Sequence, residues 1–213
     1  MMRLYVVSEG LTEFNFVTQI LRPHLEQRSS GPIAVDAPRL GGHYTYAKLR
    51  RFVKRLLGSP TAAVLVSTMI DLYGVARDFP GLGEPENDAP PLDRVRHLES
   101  CCQQDINDPR FIPYLQLHEF EALLLPNIEL LVERYPNRRT ELRELAGRLR
   151  GIAPEDVNRL TPPSHRIRQV VPEYSKAVDG VVTVDRIGLE VIRRRCLHFG
   201  QWLDQLETLR VQI

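Results

Sequence analysis

The chain has 213 residues, of which 43% are hydrophobic and 26% charged, with a formal net charge of +1. This composition excludes disordered, collagenous and coiled-coil chains, and the length predicts one domain or one domain with a modest appendage. No apolar run approaches the ~18 residues of a membrane span, and a charge this close to zero provides no global basic field that would demand nucleic acid.

The first element predicted is a short strand at 3–8, RLYVVS. The apolar part of MMRLYVVSEG is too short for a signal peptide. Helical spacing of Phe14, Val17, Ile20, Leu21 and Leu25 predicts a helix over 12–27, with Thr12 as its cap. Residues 33–37 read as a second strand and 44–57 as an amphipathic helix with a basic face. Residues 62–70, AAVLVSTMI, form the most hydrophobic stretch and read as a fully buried strand. Strands alternating with helices imply a parallel sheet. Residues 72–91 are rich in Pro and Gly and predict a long loop, followed by a helix at 92–104. Residues 111–117, FIPYLQL, read as a fourth strand, with Pro113 forcing an edge position or a bulge. Short helices are expected near 119–125, 127–135, 138–150, 154–160, 165–178, 185–196 and 198–210. The fold class is thus α/β, a four-stranded, mainly parallel sheet over 1–125 flanked by helices, with a helical C-terminal part, 126–213, packed on it. Trp202, Leu203 and Leu206 should share one helical face, turned to the domain's interior or, if exposed, to a partner.

Three cysteines, two of them adjacent at Cys101 and Cys102, form neither a disulfide framework nor a metal-ligand spacing, so a reducing, cytoplasmic setting is expected. Only Lys48, Lys54 and Lys176 among the 28 basic residues are lysines. Open parallel sheets bind ligands beyond the carboxyl ends of their strands. Glu9 and Glu13 follow the first strand, Asp71 and then Asp78 the third, and His118, Glu119 and Glu121 the fourth. Carboxylates gathered at one edge repel unless protons or cations intervene, and an all-oxygen donor set suits Mg²⁺ or Mn²⁺. Glu119 and Glu121 lie about 200° apart on a regular helix. Only one of them should then face a metal, and Glu119, nearer the strand end, is the first choice. His118 is a candidate proton donor or a packing residue. GxxxxGK[ST], GxSxG and HExxH are absent, so P-loop, α/β-hydrolase and zinc-protease chemistries are set aside.

These residues resemble the Toprim fold, the metal-dependent module of topoisomerases, primases and OLD (overcoming-lysogenization-defect) nucleases. Val7-Ser8-Glu9-Gly10 is similar to its hydrophobic-x-Glu-Gly pattern, and Asp71-Leu72-Tyr73 stands where it has Asp-x-Asp, with Tyr73 replacing the second Asp. The OLD resemblance matches Glu13 to a second Glu, Glu119 or Glu121 to a Glu after the fourth strand, and Lys176 to a downstream lysine. SEGLTE (8–13), GGHYTYAKL (41–49), TMIDLYGVARDFPG (68–81), PYLQLHEFEALL (113–124), PSHRI with EYSKAVDG (163–180) and IGLEVIRRRCLHFGQWL (187–203) resemble, block by block, a bacterial Toprim-like family of long-unknown function. That family includes AriB, the nuclease effector of the PARIS anti-phage system.

The resemblance implies a Mg²⁺- or Mn²⁺-dependent nuclease cutting RNA or DNA. Glu9, Asp71 and Glu119 or Glu121 would hold metal. Glu13 would hold a second ion or position water, and Lys176 or Arg166 would offset the phosphate charge. It also implies an ATPase partner, and a homodimer is a further expectation. The alternative is a non-catalytic interaction subunit whose metal site has decayed at Tyr73.

Overall fold

A computed structural model of the chain describes residues 2–28, 31–41, 44–59, 63–83, 89–159 and 161–209. Part of the expected long loop, 84–88, and the first residue of the expected third strand, 62, lie outside these.

The sheet is built from β1 (Met2–Ser8), β2 (Ile33–Asp36), β3 (Val64–Asp71), β4 (Phe111–Ile112) and β5 (Leu115–Gln116). The order is β2-β1-β3-β4, with β5 also on β3, and every pairing is parallel. The expected fourth strand is therefore two short ones. Pro113 has no N–H to give the ladder. Across the gap the Thr68 hydroxyl takes over, accepting from Tyr114 N at 2.8 Å and donating to Tyr114 O at 2.9 Å.

Alternating side chains give the sheet two apolar faces. Leu4, Val6 and Met69 join one core with α1 and the C-terminal helices. Val7, Val64, Val66 and Ile70 join another with α2 and α3. Helix α1 spans 11–28, passing from Leu11–Phe16 through a π segment at Val17–Leu21 into Arg22–Arg28. Helix α2 is Tyr46–Leu57 and α3 is Pro91–Ile106. A 3₁₀ segment, Phe120–Leu130, kinks at Asn127, and the expected 125/126 boundary falls inside it.

The C-terminal part holds α4 (Arg139–Leu149), α5 (Pro163–Val170), α6 (Val181–Ile187), α7 (Leu189–Arg195) and α8 (Leu197–Glu207). Two expected helices are interrupted. The one over 165–178 stops at Val170, because Pro172 cannot donate to a continuing helix. A separate π segment, Lys176–Gly180, then leads into α6. The helix expected over 185–196 breaks at Gly188, whose φ of +82° is open to glycine. Trp202, Leu203 and Leu206 are buried in the domain's own core, which removes them as a partner contact. The Trp202 ring stacks on Tyr114 at 4.2 Å, and its Nε1 donates to Ser67 Oγ on β3 at 2.9 Å. No helix among the described residues is long and apolar enough to cross a membrane.

Candidate active site

Adjacent parallel strands β1 and β3 end in register, Ser8 beside Met69, so the residues that follow meet at one end of the sheet. Glu9 Oε2 accepts from the backbone N of Asp71 at 3.1 Å. The turn Leu72–Gly74 then passes over the Glu9 carboxylate so closely that a Cβ on Gly74 would lie 2.5 Å from Oε2. Only glycine leaves that carboxylate where it is. Glu13, one turn into α1, folds back to accept from Gly10 N at 3.0 Å, a carboxylate serving the free N–H groups of a helix start.

The fourth contribution comes from over a hundred residues downstream. Lys176 Nζ donates to Asp71 Oδ2 at 2.6 Å and lies 3.4 Å from Glu121 Oε2. The ammonium is held by the π segment Lys176–Gly180. That segment is pinned at Asp179, whose carboxylate accepts from Arg134 Nε at 2.7 Å, Ser175 N at 2.9 Å and the Tyr135 hydroxyl. Asn15 Nδ2 on α1 ties it further by donating to Ala177 O at 2.9 Å.

The cluster is charged and sparsely solvated. Asp71 is 8% exposed, Glu13 4% and Glu121 0%. Burial pushes the Asp71, Glu9 and Glu121 carboxyls above the ordinary range, and neighbouring carboxylates add to the rise while Lys176 opposes it. For Lys176, burial pulls the ammonium down, but the charges of Asp71 and Glu121 outweigh it and the net direction is up. Asp71 Oδ1 and Glu121 Oε1 are buried without a hydrogen-bond donor, and Glu121 Oε2 faces the Lys176 ammonium at 3.4 Å. Such orphaned oxygens are costly unless a cation or proton is provided.

Other sequence candidates sit elsewhere. Glu119, the first choice of its pair, accepts from Ser164 N at 3.1 Å at the start of α5, and it is Glu121 that reaches Lys176. The physical reason is the 3₁₀ turn: Glu119 is its extended N-cap and Glu121 lies inside it, so the spacing of a regular helix does not apply to the pair. Asp78 accepts from Tyr46 N at 2.7 Å and Ala47 N at 3.3 Å, fastening α2. Arg166 Nε donates to Thr161 O at 3.0 Å. His118 is fully buried with φ +67°, a strained position for a residue with a Cβ. Its Nε2 donates to Glu155 O at 2.6 Å, since a carbonyl can only accept, which leaves Nδ1 as the acceptor facing the Tyr73 hydroxyl at 3.4 Å.

Sequence reading missed Gly74 and Asp179. For Gly74 the signal was a glycine three residues after the strand-end Asp. For Asp179 it was an acid three residues after a rare lysine.

Among the described residues no three His, Cys, Asp or Glu side chains form a ready-made metal site. The five expected ligands Glu9, Glu13, Asp71, Glu119 and Glu121 thus do not make one cage. Backbone N–H groups hold Glu9, Glu13 and Glu119, and the Lys176 ammonium stands between Asp71 and Glu121. The donor chemistry nevertheless fits a hard divalent cation. The oxygens are carboxylate, Asp71 Oδ1 and Glu121 Oε1 lack a donor, and Glu9 and Asp71 are neighbours.

Two solved structures are similar, both of the C-terminal region of the Xanthomonas campestris pv. campestris OLD protein. The one phased with mercury has 15% identity and a TM-score of 0.47, covering 96% of this chain and 98% of that chain. The one phased with iodine has 13% identity and a TM-score of 0.43, covering 96% and 97%. No curated protein matches the chain. A family model described as a domain of unknown function (DUF4276) matches residues 8–207, nearly the whole length, and the chain belongs to that family.

Proposed function

We propose that the protein is a Mg²⁺- or Mn²⁺-dependent nuclease that hydrolyses phosphodiester bonds in RNA or DNA. The observation that carries this reading is the convergence of Glu9, Glu13, Asp71, Glu121 and Lys176 from four separate segments at one end of a parallel sheet. Gathering like charges with orphaned oxygens in a desolvated place works against stability, and folds retain such clusters where chemistry uses them. The Toprim-like resemblance of the motifs around these residues supports the same reading, and it alone supports an ATPase partner.

Glu9, Asp71 and Glu121 would hold the cation, which when bound polarises the scissile phosphate and lowers the pKa of water. Lys176, kept charged by two carboxylates, acts through its charge and not as a base: its Nζ–H groups pair with phosphate oxygen as negative charge develops. Glu13, beside Glu9 at the start of α1, would position the attacking water. Gly74 keeps the Glu9 carboxylate in place, and Asp179 keeps Lys176 in reach.

A non-catalytic interaction subunit is the second reading. It is favoured by one observation, that the ammonium already neutralises Asp71 and Glu121 where a cation would sit. Purified wild type, Glu9→Gln and Lys176→Met should be incubated with labelled single-stranded RNA and DNA in Mg²⁺, Mn²⁺ or EDTA. The nuclease reading expects metal-dependent cleavage by the wild type, lost at least 100-fold in both variants (~3 kcal/mol in the transition state). Intact substrate in every lane, with melting unchanged by either metal, would leave the interaction-subunit reading.

A further inference from the structure

Tyr73 occupies the turn between Asp71 and Gly74, which both lie against Glu9, yet the residue is 52% exposed. It is among the few large apolar side chains on the surface, and two others, Leu11 and Val178, each lie two residues from a cluster member, Glu9 and Lys176 respectively. An exposed aromatic in a tight turn normally costs apolar hydration with nothing gained.

The ring also has a neighbour on one side. It lies nearly parallel to the His118 imidazole, 16° between planes and 6.0 Å between centroids. His118 itself cannot move freely: it is fully buried, sits at φ +67° and is fastened by Nε2 to Glu155 O. The Tyr73 hydroxyl points to the one free acceptor of that imidazole. A strained, buried histidine thus backs a half-exposed phenol ring beside the carboxylates. At the end of β1 the exposed Arg39, bridged to Ser8, supplies positive charge outside the acidic cluster.

Resting on the nuclease reading, we propose that Tyr73 is a stacking platform for one unpaired nucleobase of the substrate, placed next to the phosphate that enters the Glu9–Asp71–Lys176 cluster. A tyrosine ring has only two side-chain torsions to lose when a base stacks on it, and every base has a face to offer, so the platform selects single strands without selecting sequence. A base inside a duplex is already stacked on both sides and cannot use it. The side chain that replaces the second Asp of the resembled motif would therefore act in substrate binding, not in holding metal.

The test separates stacking from cleavage. An oligonucleotide carrying one 2-aminopurine is titrated with protein in EDTA, where no hydrolysis is expected, and quenching and anisotropy are read. Wild type and Tyr73→Phe should quench the probe. Tyr73→Ala should lose the quench and bind roughly 5- to 150-fold more weakly. The same strand annealed to its complement should be bound more weakly by wild type than the free strand. Unchanged quenching and affinity in Tyr73→Ala, at a melting temperature equal to wild type, would overturn the proposal. If the wild type cleaves in Mg²⁺ while Tyr73→Ala keeps the same KM, stacking fails and the nuclease reading stands. If the wild type neither binds nor cleaves, both fail.

Discussion

At the residue scale, Lys176 is the side chain whose sequence expectation changes most. A lysine is ordinarily solvated, and its removal ordinarily leaves folding intact. Here its side chain is 25% exposed and its ammonium is the charge that offsets Asp71 and Glu121. Replacing it with Ala leaves two buried carboxylates uncompensated once the pH is above the value of about 8 to which Asp71 is pushed, a loss of about 3 kcal/mol near pH ~9, at the low end for breaking a buried pair because the site is partly open. Both carboxyls have raised pKa values, so they take up protons first as the pH falls. The deficit of Lys176→Ala should therefore shrink by pH 5. Urea unfolding of wild type and variant at the two pH values checks this, and an equal deficit at both would show that the lost interaction is packing of the lysine stem.

At the element scale, the π segment Lys176–Gly180 delivers that lysine, and Asp179 is what shapes the segment. Burial raises the Asp179 carboxyl, but donors from Tyr135, Ser175 and Arg134 outweigh this and leave it below its ordinary value. A depressed carboxyl contributes stability that is present above its unfolded pKa and lost as the pH falls through the folded one. Asp179→Asn should cost about 1.5–3 kcal/mol at pH 7, the range for hydrogen bonds to a charged group. The difference from wild type should narrow as the pH falls past the ordinary Asp value of ~3.9 and the native carboxyl in turn takes up its proton. Chemical denaturation at pH 7 and pH 3 reads both halves. A variant as stable as wild type at pH 7 would mean that α6 and Asn15 hold the segment without Asp179.

At the scale of the whole molecule, two sets of carboxyls shape the stability curve. Asp78, Asp105, Asp108, Asp179 and Glu207 are shifted down, so their contribution is complete above pH ~4–5 and lost in acid. Glu9, Glu121 and Asp71 are shifted up, Asp71 to about 8. Between ~4 and that value these three carboxyls hold more protons in the folded protein than in the unfolded chain, so their contribution to stability falls as the pH rises. The metal-free melting temperature should peak near pH ~5 and decline toward pH 8. Millimolar Mg²⁺ or Mn²⁺ should lift the alkaline side most, because a ligand of the folded state stabilises by mass action and the ionised carboxylates bind it best. A melting series from pH 4 to 8.5 with EDTA or with metal decides it. A flat profile between pH 5 and 8 would contradict the raised carboxyls.

The sequence by itself determined the parallel α/β core, because β1 and β3 are apolar runs long enough to be read without context and their alternation with helices leaves few topologies. It also determined that Glu9 and Asp71 end those strands, since the residue after a strand needs no knowledge of what packs on it. Tertiary structure alone decided the rest of the cluster. Glu121 rather than Glu119 meets Lys176 because Phe120–Leu130 is a 3₁₀ turn whose Glu119 caps a helix 45 residues on. The Lys176 segment is π-helical through bonds to Arg134 and Tyr135 in another segment. His118 takes a left-handed backbone, and its imidazole lies between Glu155 O and the Tyr73 hydroxyl. Local patterns record which face of an element is buried; the partners of a buried charge come from distant segments, and only the folded chain brings them within reach.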